Sequence, residues 1–73
     1  MDYGALISVD SKIRFGKPCV TGTRISVADV LGWMASGMTI QQIIDDYPQL
    51  SHQQILACFA FAADKERSIK VVV

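Results

Sequence analysis

The stretch Thr39-Ile40-Gln41-Gln42-Ile43-Ile44-Asp45-Asp46-Tyr47-Pro48-Gln49-Leu50-Ser51-His52-Gln53-Gln54-Ile55 holds two helix starts and the break between them. Thr39 and Ser51 each stand three residues before a Gln. In that pattern a hydroxyl and an amide satisfy each other's backbone N–H groups at a helix N-terminus. Pro48 disfavours helix in its predecessor, so the first of the two helices must end near Tyr47. Ile40, Ile43 and Ile44 mark its apolar face. Asp46-Tyr47-Pro48-Gln49-Leu50 is then a turn, and the whole has the spacing of a helix-turn-helix.

Upstream, Ser26-Val27-Ala28-Asp29 repeats the start signature with a shorter acid, and Val27, Val30, Leu31 and Met34 follow at helical spacing. Gly37 suits the position just past the end of that helix. Downstream, the third helix runs from about His52 to Arg67. Before Ser26 the chain changes character. Leu6-Ile7-Ser8-Val9 and Ile13-Arg14-Phe15 are short and β-prone, and Cys19-Val20 and Arg24-Ile25 flank a Thr21-Gly22-Thr23 turn. Two or three short strands are expected there. The predicted fold class is mainly α with short N-terminal β-strands, a three-helix helix-turn-helix in a single domain: strands and turns over 1–25, helices over 26–67, a β-prone tail over 68–73.

The run Ile55-Leu56-Ala57-Cys58-Phe59-Ala60-Phe61-Ala62-Ala63 is apolar at nine successive positions. That is about two and a half helical turns, so the helix is apolar on every side, and such a helix is buried on every side. Phe59 and Phe61 point roughly 200° apart, which leaves at least one off the main core. Either the N-terminal strands and the tail wrap the far side, or a second chain does. Trp33 lies off the Val30–Met34 stripe and joins Phe61 as a candidate protein interface. A homodimer is expected on these grounds. Marginal burial in so short a chain points the same way.

Charge is balanced overall but unevenly spread. Lys12, Arg14, Lys17 and Arg24 stand between Ser11 and Arg24 with no acid among them; Asp29, Asp45, Asp46 and Asp64 follow with no base. The N-terminal third is therefore a candidate surface for phosphate, with Lys17, Thr23 and Arg24 in or beside its turn. Arg24 has an alternative role as a structural ion pair, for example with Asp29. At the start of the third helix, Gln53 and His52 are candidates for base edges, since the first residues of a recognition helix enter the major groove. No Lys or Arg stands near that helix start, which weakens deep groove binding.

Little here could do catalysis. The chain has one histidine, no phosphate-cradling Gly-rich loop, and adjacent Asp45 and Asp46 that point roughly 100° apart on a helix. Neither an enzyme, nor a metal site, nor a cofactor is expected. Cys19 and Cys58 sit among apolar residues and read as buried thiols, which favours a reducing compartment. With no signal-peptide pattern after Met1 and no run of about 20 apolar residues, a cytoplasmic protein without membrane contact is expected.

The run from Gly16 to Val27, with Val30-Leu31 and Met34-Ala35-Ser36-Gly37, resembles the bacterial family called domain of unknown function 433. The similarity continues through Ile43 to Leu50 and Ile55 to Phe59, and covers about Val9 to Ala63. Its most specific elements are Gly22-Thr23-Arg24-Ile25 and Tyr47-Pro48-Gln49-Leu50. The resemblance implies a homeodomain-like helix-turn-helix and an antitoxin role. It further implies a PIN-like ribonuclease toxin as partner, neutralised by direct contact, and operator DNA bound by a dimer. The alternative is a protein-interaction module that never touches DNA. This chain departs from the family in carrying Gln53 and Gln54 where acids are common, and in its short segment after Lys65. Within that tail Ile69 and Val71 are interface candidates, either pairing with the strand around Leu6–Val9 or adding as an edge strand to the toxin.

Overall fold

The computed structural model describes residues 3–67. Expectations for Ile69, Val71 and the rest of the tail lie outside the described residues. The elements are β1 (Ile7–Ser8), β2 (Cys19–Val20), α1 (Val27–Ala35), α2 (Ile40–Asp46) and α3 (His52–Arg67). The two strands pair antiparallel, with Ile7 opposite Val20 and Ser8 opposite Cys19. The three helices follow in a mainly helical fold, as the sequence predicts.

All three helix starts are built by their own sequences. Ser26 Oγ accepts the Asp29 N–H at 2.9 Å while Asp29 Oδ2 accepts the Ser26 N–H at 3.1 Å. Thr39 and Gln42 make the same exchange at α2, and Ser51 and Gln54 make it at α3. The α1 helix stops where Gly37 takes a φ of 104°, a conformation that L side chains resist. The α2 helix stops at Tyr47, directly before Pro48.

One face of each element meets in the core. Val20, Val30, Ile43, Ile55, Ala57 and Cys58 are fully enclosed, with Ile7, Val27 and Leu50 nearly so. Burial of an aliphatic side chain of this size stabilises by about 1.5–3 kcal/mol, so Ile43 and Ile55 are the strongest single contributions. The α3 helix packs mostly on α1 and also against α2 and β1.

Two expectations fail in the N-terminal third. Ile13-Arg14-Phe15 is not a strand. Arg14, Phe15 and Gly16 form a tight turn with φ of 51°, 59° and 80°. Its hydrogen bonds run Ile13 N–H to Asp10 O, Gly16 N–H to Ile13 O and Lys17 N–H to Arg14 O, the pattern of a turn and not of a ladder. Two successive non-glycine residues in the left-handed region cost roughly 1–2 kcal/mol each. The compensation is the Arg14 side chain, which reaches the Arg24 carbonyl and Asp29. The second failure is Arg24-Ile25 as a strand. The chain turns at Gly22 (φ 81°) and rejoins β2 only through a single bridge between Cys19 and Ser26.

These assignments predict stability changes read by urea unfolding. Ser26→Ala removes the α1 cap and should lower the unfolding free energy by about 1–2 kcal/mol. Gly37→Ala should lower it by about 1–2 kcal/mol through backbone strain alone, because an added Cβ meets nothing within 4 Å. Gln49→Ala, in the exposed turn, should stay within about 0.5 kcal/mol of the wild type.

Candidate functional site

The basic third is organised by one carboxylate. Asp29 Oδ2 accepts from Arg14 Nη1 at 3.0 Å and from the Ser26 N–H at 3.1 Å, and Arg14 Nη1 also donates to the Arg24 carbonyl at 2.8 Å. The ion pair proposed for Arg24 is therefore made by Arg14 instead: Arg14 comes to α1 from below the turn and holds Arg24 by its backbone. The Arg24 residue itself is exposed. Thr23 is half-buried, its hydroxyl donating to the Val20 carbonyl at 2.8 Å and accepting the Ile25 N–H at 3.0 Å. With its one proton committed, Thr23 shapes the turn that presents Arg24. Lys17 is exposed.

Burial raises the Asp29 carboxyl, but the Ser26 backbone hydrogen bond, the Arg14 and Ser26 side-chain bonds and the Arg14 charge outweigh it and hold it below the usual range. Both cysteines are free and buried, as expected, and burial pushes the Cys58 thiol up to about 11. A thiol so raised is a packing group and a poor nucleophile.

Beside the basic third lies an apolar groove of about 480 Å³. Val27, Ala28 and Leu31 of α1 form one wall and Phe61 and Ala62 of α3 the other, with Lys17, Lys65 and Glu66 at the rim. Phe61 is half-buried. Tyr3 meets it edge-on at 5.7 Å, and Lys65 lies over its ring at 5.4 Å. The Tyr3 hydroxyl also donates to Asp64 at 2.6 Å. The N-terminal segment thus covers part of the far side of α3, and the groove is what it leaves uncovered. Trp33 is not left bare as expected: it stacks on Tyr47 at 4.2 Å and 11°.

Lys17 does not meet His52 and Gln53. His52 and Gln53 are exposed at the first turn of α3, whereas Lys17 lies against Phe61 to Glu66 at its far end. At 1.5 Å per residue the two ends stand roughly 12–21 Å apart along the helix axis. Exposed Asp45 and Asp46, at the end of α2, are the charges nearest in sequence to the α3 start. Lys65 and Glu66 are the rim residues that sequence reasoning missed. The signal was their positions four residues after Phe61 and Ala62, one turn along the same face.

A short antiparallel strand pair is followed by three capped helices, with α2 and α3 as a helix-turn-helix. The chain belongs to the DUF433 family, described as a protein of unknown function, whose pattern it matches over residues 7–62. It is similar to the Mycobacterium tuberculosis protein named "Putative antitoxin VapB45", with 39% identity over 62 residues, 84% of this chain and 26% of that protein. The chain thus spans about a quarter of this curated relative. The crystal structure of a DUF433 member from Anabaena variabilis superposes with a TM-score of 0.82 at 17% identity, over 88% of this chain and 63% of the other. At that identity the agreement speaks for the fold alone. Among the described residues no helix is long and apolar enough to cross a membrane.

The Asp29 environment predicts a pH dependence. A carboxyl held below its unfolded value, about 3.9, adds stability that is fully present above that value and lost as pH falls through the lower folded value. Asp29→Asn should therefore flatten the acid limb of a stability–pH curve below about pH 4. An unchanged acid limb would show that the Arg14 pair carries no linkage.

Proposed function

We propose that this chain is the antitoxin-like component of a bacterial toxin–antitoxin system. It works by binding, as a homodimer, and neutralises a PIN-like ribonuclease toxin by direct contact. The observation that carries a protein-binding reading is the apolar groove between α1 and α3, with Phe61 in its wall. A domain this small has little apolar surface to spare, and a concave apolar site beside fixed charges is what a protein partner recognises. The family and the name of the mycobacterial relative support the antitoxin reading.

A second activity, contact with operator DNA, is favoured by the exposed Arg24 and Lys17 on a turn pinned from behind by Arg14. Such a surface holds phosphates without reading sequence. Base reading falls to His52 and Gln53 at the other end of α3. A dimer that used both would have to lie along α3 rather than thrust its start into the groove.

Co-expression with a PIN-like ribonuclease encoded by an adjacent gene tests the main reading. The two should co-purify, and the ribonuclease activity of the toxin should fall as this chain is added in equimolar amount. Full ribonuclease activity in the presence of excess chain would contradict the reading. For DNA, a gel shift on the upstream region should show binding that weakens steeply with salt. Arg24→Ala should flatten that dependence by about one phosphate's worth. Gln53→Ala should instead lower discrimination by about 1–3 kcal/mol if its contact is bidentate.

A further inference from the structure

The turn over Arg14–Gly16 holds an aromatic ring in open water among cations. Phe15 is 101% exposed, so among the described residues both faces of its ring are open. One exposed apolar residue is ordinary on a protein surface. This one stands in the left-handed region at φ 59°, behind Arg14 at φ 51°, and the Arg14 side chain ties the turn to Asp29 and to the Arg24 carbonyl. A backbone in that region persists only where its surroundings over-determine it, so the ring stands on a fixed base.

The exposed charges from Ser11 to Arg24 are all positive. Lys12 stands three residues before Phe15 and Lys17 two after it. A chain spans at most about 3.6 Å per residue, which keeps their Cα atoms within about 11 Å and about 7 Å of that of Phe15. Exposed Arg24 is held to the same turn by the 2.8 Å bond from Arg14 Nη1 to its carbonyl. Of the two carboxylates that border the stretch, Asp29 is taken up by Arg14, and Asp10 accepts the Lys12 N–H at 2.9 Å.

The centre of a protein interface is depleted in lysine, so a ring set among lysines is a poor match to one. A nucleic-acid strand supplies both complements at once, phosphates for the cations and a base face for the ring. In a duplex the base faces are stacked on one another, and a protein meets phosphates and base edges. The ring finds a partner only where bases are unpaired.

We propose that this turn binds single-stranded nucleic acid, with one unpaired base stacked on Phe15 and the neighbouring phosphates held by Lys12, Lys17 and Arg24. The inference rests on the phosphate reading of Lys17 and Arg24 in the preceding section and departs from it in the strand, since duplex DNA uses the cations and not the ring. Every base has a π face, so the site takes strands of mixed sequence. RNA and DNA strands share this phosphate and base chemistry and differ at the sugar.

Fluorescence anisotropy on the full chain tests it, with a labelled oligothymidylate of about 15 nucleotides, an oligouridylate of the same length and a mixed-sequence duplex as probes. Circular dichroism and thermal melting show that each variant is folded. The wild type should bind both single strands with an affinity that falls as salt rises, and the tighter of the two names the sugar. Phe15→Ala and Phe15→Leu should each weaken single-strand binding at least about fivefold at fixed salt, because Leu keeps apolar bulk and lacks the π face. Phe15→Trp should retain it. Duplex binding should change by less than about twofold in all three variants. Lys12→Gln should weaken every probe alike and flatten the salt dependence by about one phosphate's worth. Single-strand binding that Phe15→Leu leaves unchanged would overturn the stacking and keep the phosphate contacts. A wild type that binds the duplex and neither single strand at low salt would overturn the inference and leave the operator reading standing. Self-association lost in Phe15→Leu, with binding of all three probes intact, would make the ring a protein contact and overturn the inference as well.

Discussion

One carboxylate joins the two halves of this molecule. Asp29 closes the cap of α1 from inside the helix and, with the same oxygen, takes the Arg14 guanidinium from the N-terminal third. Arg14 in turn binds the carbonyl of Arg24. The turns at Arg14 and at Gly22, on either side of the two-residue β2, are fixed to the helical half through this node. Pairs at such partial exposure contribute only modestly to stability. The larger effect is geometric, because the positive φ values at Arg14 and Phe15 have no other visible compensation.

The hydrophobic core does a different part of the work. Val20 and Ile7 carry the strand pair into the same cluster as Val30, Ile43 and Ile55, so the strands cannot drift from the helices even though each is two residues long. What the core leaves open is the C-terminal half of α3. Tyr3 reaches Phe61 from one side, α1 approaches from the other, and a groove remains between.

The parts of this fold that were legible in the sequence are the local ones. Ser26, Thr39 and Ser51 announce their helices because the partners of each cap lie within three residues. Gly37 and Pro48 end two of them for reasons internal to the backbone. The reading of Ile13-Arg14-Phe15 as a strand went astray because an ion pair 15 residues distant overrides β propensity. Trp33 was misjudged for a similar reason, since its stacking partner Tyr47 lies across the α1–α2 connection. For the site, the basic third and Phe61 were legible as composition and as excess apolar length. That Lys17 belongs with the end of α3 and not its start follows only from how the helices pack.

A double-mutant cycle between Arg14→Ala and Asp29→Asn, read by urea unfolding at neutral pH, examines the Asp29 node directly. If the pair fixes the N-terminal third to α1, the two substitutions should be coupled by about 0.5–1 kcal/mol, the second costing far less once the first is made. Coupling indistinguishable from zero, with each substitution destabilising independently, would mean that the turn holds itself. The Arg14–Asp29 contact would then organise nothing.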